Sequence, residues 1–296
     1  MKKVLLVAAL LAGVTAVHAQ DTLKKLKDSG VITMGVRESS GLSYTIGDGK
    51  FVGYHIDVCE RVVADLRKQL GGKLEVKYQP VTSQNRIPLT VNGTVDLECG
   101  STTNNAARQK DVAFAVTTYV EEVRIAVKAS SGITGINQLS GKTIATTTGT
   151  TSVQTLRKHE RAAGVDFKEV YGKDHADSFL LLDSGRADAF VMDGSILAKN
   201  IATSKNPADF KIVGEVLAVE PIAVMLRKDD PAFKKAVDDS IKAMIKSGEL
   251  AKIYDKWFLQ PIPPTNTRIG LPLSAATKDA WANPNDKPAE DYVAKK

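Results

Sequence analysis

The chain has 296 residues, of which 40 are Lys or Arg and 34 are Asp or Glu, with 43% hydrophobic and 25% charged residues. This balance suits a globular chain that buries a core, and it excludes a collagen, a coiled coil and a wholly disordered polypeptide. Two cysteines are too few for a disulfide scaffold or a four-cysteine zinc site, and a net charge of +6 without clustered Lys and Arg does not argue for nucleic acid.

Lys2 and Lys3 precede an uncharged apolar run from Val4 to Val17, and Val17 and Ala19 are small residues at the cleavage positions. Residues 1–19 therefore read as a secretory signal peptide cut after Ala19. The run is shorter than the roughly 20 residues a membrane span needs, and no Cys follows the cleavage site to make a lipoprotein. Removing Lys2 and Lys3 takes two from the 40 basic residues and leaves +4 against 34 acidic ones. Export makes Cys59 and Cys99 candidates for a disulfide; two small buried thiols is the alternative.

Strands and helices then alternate. Val31–Val36 predicts a strand. Ile56, Cys59, Val62, Val63, Leu66 and Leu70 recur at helical spacing up to Gly71-Gly72. Leu74, Val76 and Tyr78 alternate as a strand, a short helix follows Ser83, Val95–Cys99 is a strand, and Val123, Ile125 and Val127 mark another. A second unit follows, with strands at Lys142–Thr147, Phe167–Tyr171, Ala187–Met192 and Phe210–Val213. Its helices run to about Ala163, over Asp174–Ser184 and over Ser195–Thr203. Pro221–Arg227 reads as a strand, Pro231 starts a helix buried through Phe233, Val237, Ile241 and Ile245, and a last helix carries Leu250, Ile253 and Trp257. The prolines beyond Phe258 predict an extended tail. Such alternation implies an α/β protein of two lobes with mostly parallel sheets.

In open α/β sheets, ligands bind outside the carboxyl ends of the strands. The loops there contain Arg37, then Ser83 and Arg86, then Ser101, Thr103 and Arg108; in the second unit they contain Thr150 and Thr151, His175, and Asp193. Arginines grip carboxylates in bidentate forks, a Gly-Thr-Thr-Ser turn entering a helix presents N–H groups to an anion, and Asp193 is an acceptor for an ammonium group. Taken singly, each Thr or Ser reads as a helix cap and each Arg as surface charge; their convergence is what points to a small anionic ligand. No nucleophile elbow, zinc motif or phosphate loop is present, so neither a metal nor a cofactor is expected. Glu38, Glu98 and His175 are the acids and bases an enzyme would have to use. Glu38 and Glu98 read more simply as solvated or capping acids, and His175 as a ligand contact.

The segments Thr82-Ser83-Gln84-Asn85-Arg86-Ile87-Pro88-Leu89, Glu98-Cys99-Gly100-Ser101-Thr102-Thr103-Asn104-Asn105, Gly149-Thr150-Thr151-Ser152, Lys173-Asp174-His175 and Met225-Leu226-Arg227-Lys228-Asp229-Asp230-Pro231 resemble the periplasmic solute-binding proteins of ABC transporters for polar amino acids, in particular the glutamate/aspartate-binding proteins. The resemblance implies a two-lobed type II periplasmic-binding-protein fold with a hinge of two crossing strands. One lobe would comprise residues 21–120 plus 222–296 and the other 121–221. It implies a periplasmic monomer that delivers L-glutamate or L-aspartate to an inner-membrane permease, and it gives the site residues roles. Arg108, with Ser101 and Thr103, would clamp the α-carboxylate, and Asp193 would accept from the α-ammonium. Arg37, Arg86 and His175 would hold the side-chain carboxylate, while Ser83, Thr150 and Thr151 donate. A glutamine ligand would leave a buried arginine without its anion, which favours the acidic amino acids. Three positions depart from the family pattern: Leu42 replaces an aromatic expected to border the ligand, Gly194 stands where an acid is common, and Pro221-Ile222-Ala223 replaces a more polar run. The alternative on the same fold is a periplasmic dehydratase-type enzyme. A receptor's sensor portion is disfavoured because no further apolar run approaches a span.

Overall fold

A computed structural model describes residues 21–292. The predicted signal peptide, with its cleavage after Ala19, lies outside the described residues. The chain opens with helix α1 (Thr22–Ser29), strand β1 (Val31–Val36), a hairpin of β2 (Tyr44–Thr45) and β3 (Phe51–Val52), and helix α2 (Tyr54–Leu70). It continues with β4 (Glu75–Pro80), α3 (Arg86–Val91), β5 (Leu97–Glu98), β6 (Val112–Phe114) and β7 (Tyr119–Lys128). The second lobe adds β8 (Thr143–Thr147), α4 (Thr151–Ala163), β9 (Lys168–Gly172), α5 (His175–Asp183), β10 (Ala189–Asp193), α6 (Gly194–Ala202) and β11 (Phe210–Ile222). The chain then returns through β12 (Met225–Arg227) to α7 (Pro231–Ser247), α8 (Glu249–Tyr254) and α9 (Ala275–Ala282).

There are two five-stranded sheets, ordered β4-β1-β5-β12-β6 and β11-β7-β10-β8-β9. The strands are parallel where helices connect them: β1 with β4 and β5, and β8 with β9 and β10. Both sheets are mixed rather than mostly parallel, because the strands that carry the chain between lobes enter antiparallel: β12 beside β5 and β6, and β7 beside β10 and β11. The link itself is a pair of antiparallel segments. Ala115 N–H donates to Val224 O at 2.9 Å and Thr118 N–H to Ile222 O at 3.0 Å.

Each lobe has its own apolar core. In the first, α2 turns Val58, Cys59, Val62, Val63 and Leu66 inward against Ile32 and Met34 of β1 and Phe233, Val237 and Ile241 of α7. Each such fully buried side chain contributes about 1.5–3 kcal/mol relative to exposure. Asp230 accepts from Phe233 N–H and Pro231 occupies the first turn of α7, so the predicted start is the observed one. Cys59 of α2 is disulfide-bonded to Cys99 beyond β5. In the second lobe Val123, Ile125 and Val127 of β7 pack with Ile144 and Leu156.

Three expectations are corrected. The strand predicted over Phe210–Val213 continues to Ile222, because its ladder with β7 absorbs residues 214–217 in a register shift and resumes at Ala218. Pro221–Arg227 is not one strand; β11 ends at Ile222 and β12 starts at Met225. The tail is not simply extended: Ser274 caps α9 by accepting from Thr277 N–H, and Ile262 and Trp281 pack on the first lobe.

Candidate functional site

The carboxyl ends of the strands bring the predicted residues to one place between the lobes. A narrow cavity of about 10 Å³, room for about one water, is lined by Ser83, Arg86, Ser101, Thr103, Thr150, Thr151, His175 and Asp193, joined by Met192. That is far below the ~300–1,000 Å³ of ligand pockets, so an amino acid enters only when these side chains move apart. Arg37 and Arg108 stand behind this lining. Arg37 is fully buried and donates from Nη2 to Asp174 Oδ1 and to His175 Nε2, both at 3.0 Å. Half-buried Arg108 donates from Nη1 to Thr103 O at 2.9 Å.

Leu42, considered for the ligand's border, is instead buried in the core of the first lobe and does not line the cavity. Position 194 explains itself differently. A Cβ there would stand 3.5 Å from Glu121 Oε1, so an acid from β7 already lies against this position. Glu121 accepts from the Ser195 N–H and hydroxyl at 3.1 and 2.5 Å. Of the acids weighed for catalysis, Glu38 is exposed. Glu98 is buried rather than solvated, accepting from the Thr102 hydroxyl at 2.6 Å.

Buried polar atoms without a protein partner cluster here: Nε and Nη1 of both Arg37 and Arg86, Ser83 Oγ, and Asp193 Oδ1. Such atoms are costly unless something bonds to them; this set offers several donors and, with the unpartnered Glu98 Oε1 near Arg37, two carboxylate acceptors. Thr150 and Asp193 precede α4 and α6, yet neither side chain caps its helix. The reading of Thr150 as an ordinary cap therefore fails, and its hydroxyl is committed instead to Thr147 O at 2.8 Å.

The electrostatics have the same asymmetry. Burial, with Arg108 and Arg37 nearby, pushes the Arg86 pKa well below its usual value. Burial also lowers that of Arg108, against the attraction of Glu220, Asp193 and Glu98. Asp193 is pushed well above the usual carboxylate range by burial and by Glu121 and Glu220. Burial and the charge on Arg37 hold His175 well below its ordinary value, so its ring is neutral. Since an Arg only donates, His175 Nε2 accepts from Arg37, and the proton sits on Nδ1, 3.0 Å from Thr147 Oγ1. An anion entering beside Arg86 would offset the repulsion among the guanidinium groups, and a cation would do the same for Asp193.

Sequence reasoning missed Glu220. This buried side chain accepts through Oε2 from the hydroxyls of Thr103 at 2.5 Å and Thr151 at 2.8 Å, one from each lobe. Its signal was a lone acid within the apolar run Leu217-Ala218-Val219-Glu220-Pro221-Ile222. Asp174, quoted above only as part of a motif, pairs with Arg37. Among the described residues, no group of three His, Cys, Asp or Glu side chains is arranged to hold a metal ion, and no helix is long and apolar enough to cross a membrane.

Known proteins match this chain in sequence and in fold. The chain is 44% identical to the L-glutamate/L-aspartate-binding protein of Pseudomonas aeruginosa, over 96% of both chains. It is likewise 44% identical to the glutamate/aspartate import solute-binding protein of Escherichia coli K12, again over 96% of both. Its fold superimposes on a crystal structure of a mutant of ArgBP from T. maritima with a TM-score of 0.70 and 26% identity, covering 79% of this chain and 98% of that one. Residues 32–260 match the family model, and the chain belongs to the bacterial extracellular solute-binding proteins, family 3.

Proposed function

We propose that the protein captures L-glutamate or L-aspartate in the periplasm, after cleavage of its signal peptide, and delivers it as a monomer to an ABC-transporter permease in the inner membrane. The observation that carries this reading is the unpaired, buried guanidinium edge of Arg86, and of Arg37 behind it, in the same cavity as the unpaired Oδ1 of Asp193. A dicarboxylic amino acid supplies an anion for each end and one ammonium. Arg108 takes the α-carboxylate with Ser101 and Thr103. Asp193 takes the ammonium. Arg86 and Arg37 take the side-chain carboxylate, with His175 orienting Arg37 through Nε2, while Ser83 donates its hydroxyl, Thr151 offers its N–H at the start of α4 because its hydroxyl is given to Glu220, and Thr150 braces the turn into α4. Glutamine would leave Arg86 buried without an anion, a mismatch that polar sites reject strongly.

The lobes in this reading are residues 21–120 with 222–296, and 121–221, moving about the paired segments near Thr118 and Ile222. Ligand favours closure only in so far as it binds the closed form better than the open one. A thermal-shift screen of the standard amino acids and small dicarboxylates tests the assignment, because a ligand that binds only the native chain stabilises it by mass action. The melting temperature is expected to rise with L-glutamate or L-aspartate and to stay put with L-glutamine and with arginine. A shift with neither acidic amino acid contradicts the proposal.

A further inference from the structure

The family match ends at residue 260, but the chain continues through α9 to Tyr292 and ties itself to two parts of the binding apparatus. The first is the connection between the lobes. Trp281 Nε1 donates to Thr118 O at 2.8 Å, Val120 N–H to Thr277 Oγ1 at 3.1 Å, and Thr117 N–H to Asn285 O at 2.9 Å. The second is the loop that carries Arg108. Fully buried Asn104 donates through Nδ2 to Asp286 O at 2.8 Å and Lys287 O at 3.3 Å, while its own carbonyl accepts from Ala289 N–H at 2.8 Å. Gln109 Nε2 bridges Asn104 Oδ1 and Asp286 O at 2.8 and 3.1 Å, and Ala106 N–H donates to Glu290 Oε2 at 3.0 Å.

Asn104 does not line the cavity. It directly follows Thr103, whose carbonyl anchors Arg108 Nη1, and precedes Asn105, whose Oδ1 accepts from Arg108 N–H at 2.9 Å. Both anchors of Arg108 therefore flank the residue that the tail grips from behind. A binding group is useful only when held to within about 0.5 Å of its working position by what packs around it. We infer that Asn104 is a positioning residue for Arg108, and that tail residues Asp286–Ala289 form a strap holding the Arg108 loop in register for ligand.

This inference rests on the assignment of Arg108 to the ligand carboxylate, and a double-mutant cycle on the whole chain separates the two. Calorimetric titration with L-glutamate is run on the native chain and on Asn104→Ala, Arg108→Lys and the double variant, with ligand-free melts alongside. Arg108→Lys keeps the charge but loses the fork and its hold on Thr103 O. Asn104→Ala is expected to raise the Kd at least tenfold in the native background and less than twofold in the Arg108→Lys background, since the group it positions is then gone. Ala289→Pro deletes only the N–H that reaches Asn104 O. Proline is tolerated at the first position of a helical turn, and Pro288 before it is already extended, with φ −74° and ψ 164°. It is expected to raise the Kd at least threefold, and it decides the question alone if Asn104→Ala does not fold. Unchanged affinity in both variants, or an equal loss in both Arg108 backgrounds, overturns the strap. Native affinity in Arg108→Lys overturns the assignment of Arg108 and the positioning role with it.

Discussion

Gly41 of the first lobe lies against Ser195 of the second so closely that a Cβ on it would stand 2.6 Å from the Ser195 carbonyl oxygen. Across the cleft Gly149, at φ +81°, leaves a Cβ only 3.0 Å from the backbone of Ser83 and Gln84. Ala176 N–H donates to Ser39 Oγ at 3.1 Å, and Arg37 reaches Asp174, so the lobes meet along their rims as well as around the cavity. In the proposed motion of the lobes these contacts form on closure and are lost on opening.

Gly41→Ala is therefore expected to obstruct closure without touching the cavity. Because the obstacle is backbone, it cannot swing aside. L-glutamate affinity should fall roughly tenfold or more, equivalent to about 1.4 kcal/mol for each factor of ten, while the ligand-free melting temperature barely moves. Calorimetry gives the affinity, and small-angle scattering with saturating ligand should show a less compact chain than the native one.

Arg86→Ala separates charge recognition from general amino-acid binding. Truncating one partner of a buried charge pair costs roughly 2–5 kcal/mol. The variant is expected to lose about a hundredfold or more for L-glutamate and L-aspartate, and much less for L-glutamine, whose amide places no charge beside Arg86. Equal losses for all three would remove Arg86 from the specificity argument.

His55 gives the fold an acid limit. It is fully buried, its Nδ1 bonds to Gly100 O, and its Nε2 lies 2.6 Å from Thr118 Oγ1. Burial pushes its pKa down to about 4, against about 6.5 in the unfolded chain. Between those values the unfolded chain takes up a proton that the native one does not. Stability due to the neutral ring is thus full above about pH 6.5 and falls by about 3 kcal/mol as the pH drops to 4. Glu121, raised to about 7 chiefly by burial, acts in the opposite sense. A comparison with His55→Asn isolates the histidine: the stability gap between native and variant, from denaturant titrations at pH 7, 5.5 and 4, should narrow steadily with acidification. A gap independent of pH contradicts this account.

The disulfide closes a loop between residues 40 positions apart, from α2 to the end of β5. In the chain-entropy treatment a loop of that size contributes about 4 kcal/mol through the unfolded state. Denaturant midpoints with and without reductant should differ accordingly, and thiol labelling of the unfolded, unreduced chain should find no free cysteine.

The site was legible in the sequence where its chemistry is local. Donor-rich loops follow strands, and the strand ends gather them whatever the details of either sheet. Glu220 was not legible, because its meaning depends on Thr103 and Thr151, 117 and 69 residues away. Leu42 was misplaced because position in a loop does not say which way a side chain turns; here it joins the core. The parallel pattern predicted from alternating elements held for the helix-connected strands and failed at β7, β11 and β12, where the chain passes from one sheet to the other. The tail hid α9 among prolines, although Ser274 at its start is an ordinary cap.

The most direct test is calorimetric titration of the chain, after exhaustive removal of co-purified ligand, with L-glutamate, L-aspartate and L-glutamine at neutral pH. The expected result is saturable one-to-one binding of at least one acidic amino acid, far tighter than L-glutamine and nearly abolished by Arg108→Ala. Absence of binding by both acidic amino acids, or binding that ignores the loss of Arg108, would contradict the account.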